Sequence, residues 1–184
     1  MPRAHSSASG LNEASQKSGN QDTRHKVQIA TLTKLGYDLK MVTIGILKKA
    51  TPSTLRDINR LLAILREDKG KTAGTISELR TILSDKNTAV VTVKDAERVI
   101  GMGTLYIVQK VGEMTGYVED LVVDEDYRGQ GFGEKIMKKL IATARLKKSG
   151  SINLTSRPSR VAAHKLYEKL GFRKRETDVY NLSL

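Results

Sequence analysis

The chain has 184 residues, enough for one domain with its own core plus a tail. It holds no cysteine and three histidines, which excludes a disulfide framework, a thiolate metal site and a cysteine nucleophile, leaves too few ligands for a histidine metal site, and fits a reducing cytoplasm. The formal net charge of +12 raises the expectation of an anionic partner, with a solvated basic surface as the plainer reading; aromatic residues make up 4% with no Trp, too few stacking platforms for nucleic acid to be the first expectation, and no apolar run is long enough to span a membrane.

Residues 1–25 are rich in Ser, Asn, Gln and Gly and poor in large apolar groups. Such a segment cannot bury enough surface to offset its ordering entropy. It lacks the apolar stretch of a secretory signal, although its Ser and Arg content is also that of a transit peptide. Residues 26–40 read as a short helix or an extension of this tail. The expected organisation is a poorly ordered tail over 1–40 and one domain over 41–184.

"MVTIGILKKA" (41–50) alternates as a strand, and "TPST" offers Thr51 or Ser53 as a helix cap. Leu55, Ile58, Leu61, Leu62 and Leu65 then recur at helical spacing, and "TISELRTILSD" (75–85) predicts a second helix. Strands follow at 88–93, 98–109 and 115–124, joined by short polar links that suit hairpins. A helix at about 131–147, a strand at 151–156 and a helix at 159–171 closed by Gly171 come next. Residues 172–184 read as one or two strands. A meander followed by a βαβ crossover predicts an α+β fold. Its mixed, mostly antiparallel sheet would have six to seven strands and about four flanking helices.

"YRGQGFGEKIMKKL" (127–140) places three glycines and an arginine directly before a helix. A helix N-terminus has unpaired N–H groups and a partial positive charge, and glycine lets backbone approach an anion closely. The dinucleotide fingerprint fails, because its third glycine would fall on Glu134. The phosphate loop built on "GKT" at 70–72 fails as well, because its first glycine would be Leu65. Arg128-x-x-Gly131-x-Gly133 after an apolar strand does fit a phosphate cradle.

In "LVVDEDYRGQGFG" and, downstream, "AAHKLYEKLGF" (162–172), the chain resembles the GCN5-related N-acetyltransferase (GNAT) family. The resemblance covers 41–184 by element order and 117–184 by motif. It implies acetyl-CoA as acyl donor and no metal. The coenzyme's pyrophosphate would lie on the backbone of Arg128, Gly129, Gln130, Gly131, Phe132 and Gly133. Its extended amide arm would pair with the open edge of the strand at Leu121, Val122 and Val123. A splay between that strand and Ile152–Thr155 would leave the edge open.

Acetyl transfer to an amine requires loss of the amine's proton, stabilisation of an oxyanion and protonation of the leaving thiolate. The resemblance gives the last task to Tyr167; the plainer reading is a core tyrosine with its hydroxyl at the rim. Glu119 is the candidate base, with a carboxyl that burial would raise. Strand alternation places Glu119 and Leu121 on one face and Asp120 on the other. "VEDLVV" resembles the acceptor-lining strand of glucosamine-phosphate acetyltransferases; the plainer reading is a solvated carboxylate at a sheet edge. The backbone N–H near Val122 or Val123 is the expected oxyanion donor. The family's second motif often begins with Asn, where this chain has Arg160. Asn153 is the candidate substitute, and Arg157, Arg160 and Lys165 could meet a coenzyme phosphate or form a solvated basic face. His164 reads as a surface helix residue.

The expected activity is transfer of an acetyl group to a primary amine of a small molecule or protein, by direct attack in a ternary complex. The acceptor pocket is expected around Thr51–Ile58 and Glu119. Two rivals remain: a non-catalytic acyl-CoA sensor on the same fold, and a basic nucleic-acid-binding protein. The last strands could also pair across a homodimer.

Overall fold

The computed structural model describes residues 42–66 and 72–183. The tail expected over 1–40 lies outside the described residues. In chain order the elements are β1 (Val42–Ile46), α1 (Pro52–Leu65), α2 (Ile76–Ser84), β2 (Thr88–Asp95), β3 (Arg98–Lys110), β4 (Glu113–Val123), a 3-10 turn (Glu125–Tyr127), α3 (Phe132–Leu146), β5 (Ser151–Leu154) and α4 (Val161–Lys169). The order matches the sequence reading up to α4.

Local signals explain the boundaries. Thr51, not Ser53, caps α1: its side chain accepts from the Thr54 N–H, and Pro52 occupies the first turn, where its missing donor costs nothing. Thr75 and Glu78 form a reciprocal capping box at α2. At the end of α4, Gly171 adopts φ +86, and the N–H groups of Gly171 and Phe172 reach back to Glu168 and Tyr167. This is a Schellman closure, and it needs a residue that tolerates a left-handed backbone.

One five-stranded sheet runs β1-β2-β3-β4-β5, with three antiparallel pairs and a parallel β4–β5 pair. Among the described residues the expected six to seven strands are corrected to five. Residues 172–184 read as one or two strands, and the described part, 172–183, forms none. Their Val179, Tyr180 and Leu182 are strongly exposed, so nothing buries the alternate face that would reward pairing.

The sheet is covered on both faces. Val91, Val93, Ile100, Leu105, Ile136, Met137 and Leu140 pack together between one face and α3. Leu47, Ile58, Leu61, Leu79, Val90, Val99, Met102 and Val122 pack between the other face and α1 and α2. Burial on both faces explains why β2 and β3 read as continuous apolar runs rather than alternating ones.

Candidate active site

Two irregularities in β4 create the site. The first is a bulge. Met102 pairs with Val122, but Thr104 pairs with Glu119, so Asp120 and Leu121 together face Gly103. Asp120 has φ +53. A bulge adds one residue and shifts the alternation of those beyond it. Val118 and Leu121 both pack on the α3 side, whereas Glu119 shares the opposite side with its partner Thr104 and with Val122. The expectation that Glu119 and Leu121 share a face is thus corrected, and the bulge is the reason.

The second irregularity is a divergence. β5 pairs with β4 only from Thr115↔Ser151 to Val118↔Leu154. Beyond that point the strands separate, as expected. A cleft of about 450 Å³ opens there, lined by Val118–Leu121 on one side and Leu154–Arg157 on the other. Leu65, Arg66, Arg160, Tyr167 and Val179 complete its wall. The gap in the sheet lets groups from both faces share one space. Glu119 enters from the α1 side, and Tyr167, carried by α4, enters from the core on the α3 side.

The electrostatics tie these groups together. Partial burial pushes the Glu119 carboxyl above its ordinary pKa, and the charge of Asp120 adds to the rise. Burial also raises the Tyr167 hydroxyl; the Arg160 guanidinium and the nearby Ser156 oppose that rise, and Glu119 reinforces it. Ser156 Oγ is buried and its geometry falls short of a hydrogen bond. The Tyr167 ring is held at 6.0 Å from Phe172 and 6.5 Å from His164, centroid to centroid. Tyr167 is therefore packed at its ring and lines the cleft.

The loop after β4 provides a different environment. Gly129 and Gly131 both have φ +77, and a Cβ built on either meets no atom within 4 Å. Gly131 stands at the cap of α3 with no side-chain cap. The amides of residues 129–134 find no backbone acceptor among the described residues. Arg128 is exposed, pairs with Glu125 at 3.1 Å and leans on the Val123 carbonyl at 3.4 Å. Gln130 is exposed, whereas Phe132 is buried and anchors the loop. Gly133 lies inside the helix. The first turn of α3 is clipped to α4 through Glu134, which meets Lys138 at 2.8 Å and Lys169 at 2.6 Å and is pulled down to a pKa of about 2.

Other candidates are placed differently. Asn153 pairs with Tyr117 inside the sheet and does not line the cleft. The cluster Arg157, Arg160 and Lys165 divides: the two arginines line the cleft and Lys165 does not. Arg160 donates to the Leu65 carbonyl at 2.9 Å. His164 contacts the Arg157 carbonyl at 2.9 Å through Nε2. α1 reaches the cleft with Leu65 and Arg66 rather than with Thr51–Ile58. Val122 and Val123 continue β4 past the cleft, in register with Met102 and Gly101. Arg66, Thr155 and Ser156 were not singled out by sequence. Their only signal was position, just past the end of α1 and of β5.

Among the described residues no cluster of ligands could hold a metal ion, and no helix is long and apolar enough to cross a membrane.

Comparison with known proteins agrees with this architecture. Over 82 residues, or 43% of the chain, it is 37% identical to a glucosamine 6-phosphate N-acetyltransferase of Trypanosoma brucei brucei and spans 54% of that protein. Over 51 residues it is 43% identical to an N-acetylaspartate synthetase of Xenopus tropicalis, of which it spans 19%. The chain thus spans about half or less of these curated relatives. Among solved structures, an acetyltransferase of Trypanosoma brucei matches with a TM-score of 0.63 and 26% identity, covering 78% of this chain and 99% of the other. An aminoglycoside acetyltransferase from an uncultured soil sample shares the fold, with a TM-score of 0.68 at 19% identity over 78% of this chain and 95% of that one. The model of the acetyltransferase (GNAT) family matches residues 55–172, so the chain belongs to that family.

Proposed function

We propose that the chain is an acetyl-CoA-dependent N-acetyltransferase acting on a primary amine by direct attack in a ternary complex. One observation carries the reading. A loop of unpaired amides with two left-handed glycines sits at the start of a helix, at the end of a strand whose far edge has parted from its neighbour. That arrangement suits a ligand with a phosphate group at one end and an extended amide arm at the other. In this reading Arg128, Gly129, Gln130, Gly131, Phe132 and Gly133 hold the pyrophosphate, and β4 from Leu121 to Val123 pairs with the arm. The acetyltransferase domain begins near residue 41.

Chemistry is assigned to the cleft. Glu119 takes the amine's proton, the amine attacks the thioester carbonyl, and Tyr167 protonates the departing thiolate. A backbone N–H near Val122 or Val123 stabilises the oxyanion.

Calorimetric titration of acetyl-CoA tests the loop. The parent should saturate at one site. Gly131→Ala should lower stability by about 1 kcal/mol, the cost of a left-handed backbone at a residue with Cβ, and weaken coenzyme binding about tenfold, because that strain or its relief displaces the amides. A folded parent that binds neither acetyl-CoA nor CoA would remove the proposal.

Glu119 is tested by pH. A base works only when deprotonated, so kcat/KM should fall as pH drops through the Glu119 pKa. Burial and Asp120 raise that pKa, so the fall should begin above the ordinary carboxylate range. Glu119→Gln should lose this limb. Its rate at pH 7 should drop about tenfold or more. An unchanged profile would show that Glu119 is not the base.

A further inference from the structure

The cleft holds more positive charge than the proposed chemistry needs. Arg66, Arg157 and Arg160 all line it, against the two carboxylates of Glu119 and Asp120. An acceptor whose only charge is its amine would need the carboxylates alone, and three guanidinium groups would repel it. Guanidinium groups are the side chains best suited to grip a phosphate or carboxylate, through paired N–H donors. The Arg160 guanidinium is also fixed in place here. Arg160 is half-buried and tied to the Leu65 carbonyl. Arg157 stands on backbone that His164 holds. Arg66 is half-buried at the end of α1.

The coenzyme's pyrophosphate does not account for them. It is assigned to residues 128–133, none of which lines this cleft. Arg160 instead shares the wall of the cleft with Tyr167. It therefore stands at the end of the site where the acetyl group is handed over.

We infer that the acceptor is an amine that also carries an anionic group, a phosphate or carboxylate, gripped by Arg66, Arg157 and Arg160 while its amine faces Glu119 and Asp120. The inference rests on the proposed acetyl-transfer reading and narrows it. Polycationic acceptors such as polyamines and aminoglycosides are disfavoured, because they would bring cations to this wall.

The test is equilibrium binding to the full chain saturated with CoA, which needs no turnover. Glucosamine 6-phosphate is compared with glucosamine, and L-aspartate with its diamide. The anionic member of at least one pair should bind about tenfold or more tightly than its neutral counterpart. The pair that discriminates tells phosphate from carboxylate. Arg66→Gln and Arg157→Gln should each erode that preference with CoA affinity retained; a folded variant that loses CoA affinity instead would give its arginine to a coenzyme phosphate and overturn the inference. Equal binding within both pairs, tighter binding of the neutral members, or no binding of any of the four probes would overturn the inference and leave the acetyl-transfer reading standing. Failure of CoA itself to bind would instead strike the proposed function.

Discussion

Tyr167→Phe should lower kcat by about 10²- to 10³-fold while acetyl-CoA binds as before, within the range that loss of a positioned general acid produces. The substitution removes one hydroxyl and keeps the ring. Packing against Phe172 and His164 is therefore preserved, and the variant should unfold within about 0.5 kcal/mol of the parent. Without the acid, a thiolate must leave unprotonated, and the loss falls in the chemical step rather than in binding. Single-turnover kinetics with monitored thiol release would separate the two, and calorimetry would report coenzyme affinity. A poor leaving group should suffer more than a good one, so an acyl donor with a more acidic thiol should partly rescue the variant. The same experiment decides between enzyme and sensor. A sensor built on this fold has no turnover to lose, and the phenylalanine variant would be indistinguishable from the parent. Full retention of kcat would leave Tyr167 as a core residue with a wet tip.

The elements were legible in the sequence because they are written in local chemistry. Thr51-Pro52 announces a helix, Thr75 and Glu78 form a capping box, and Gly171 closes α4. The loop was legible for the same reason, since glycine spacing before a helix is a local signal. What failed was non-local. The alternation rule placed Glu119 and Leu121 on one face, but the Asp120 bulge reverses it. Nothing in "VEDLVV" marks a bulge, because no glycine sits there and Asp120 adopts its left-handed backbone without one. Residues 172–184 alternate well enough to predict strands, yet pairing depends on a neighbour with a face to cover, which local sequence does not specify. Arg66 was missed because it joins Tyr167 in one cleft only after the chain has folded, across a separation far longer than any motif, and Ser156 because nothing in its local sequence marks it.

Asp124→Ala should cost about 3 kcal/mol of stability, more than any surface substitution in the domain. Asp124 closes β4 and is buried, with its side chain 6% exposed. Its carboxylate accepts from Arg60 on α1 and, at 3.2 Å, from Arg98 at the start of β3. Arg60 donates also to the Val99 carbonyl at 2.9 Å, and Asp57 accepts from the Val99 N–H at the same distance. Asp124 thus joins the first helix, two strands and the turn that leads into the glycine loop. Removing one member of a buried charge pair costs roughly 3–5 kcal/mol, because the partner is left without its counter-charge. The lower end applies here, because Arg60 is 32% and Arg98 51% exposed and water can solvate part of each. The asymmetry provides the control. Arg98→Ala removes the more exposed partner and leaves Asp124 its contact with Arg60, so it should cost under about 1 kcal/mol. Urea unfolding of the two variants measures both. Because the Asp124 N–H also bonds to Ile100 through the backbone, the strand itself should survive the change. The loss should then appear as a lower midpoint with an unchanged slope. If Asp124→Ala and Arg98→Ala cost the same small amount, the carboxylate is solvated in solution and α1 is held to the sheet by its apolar face alone.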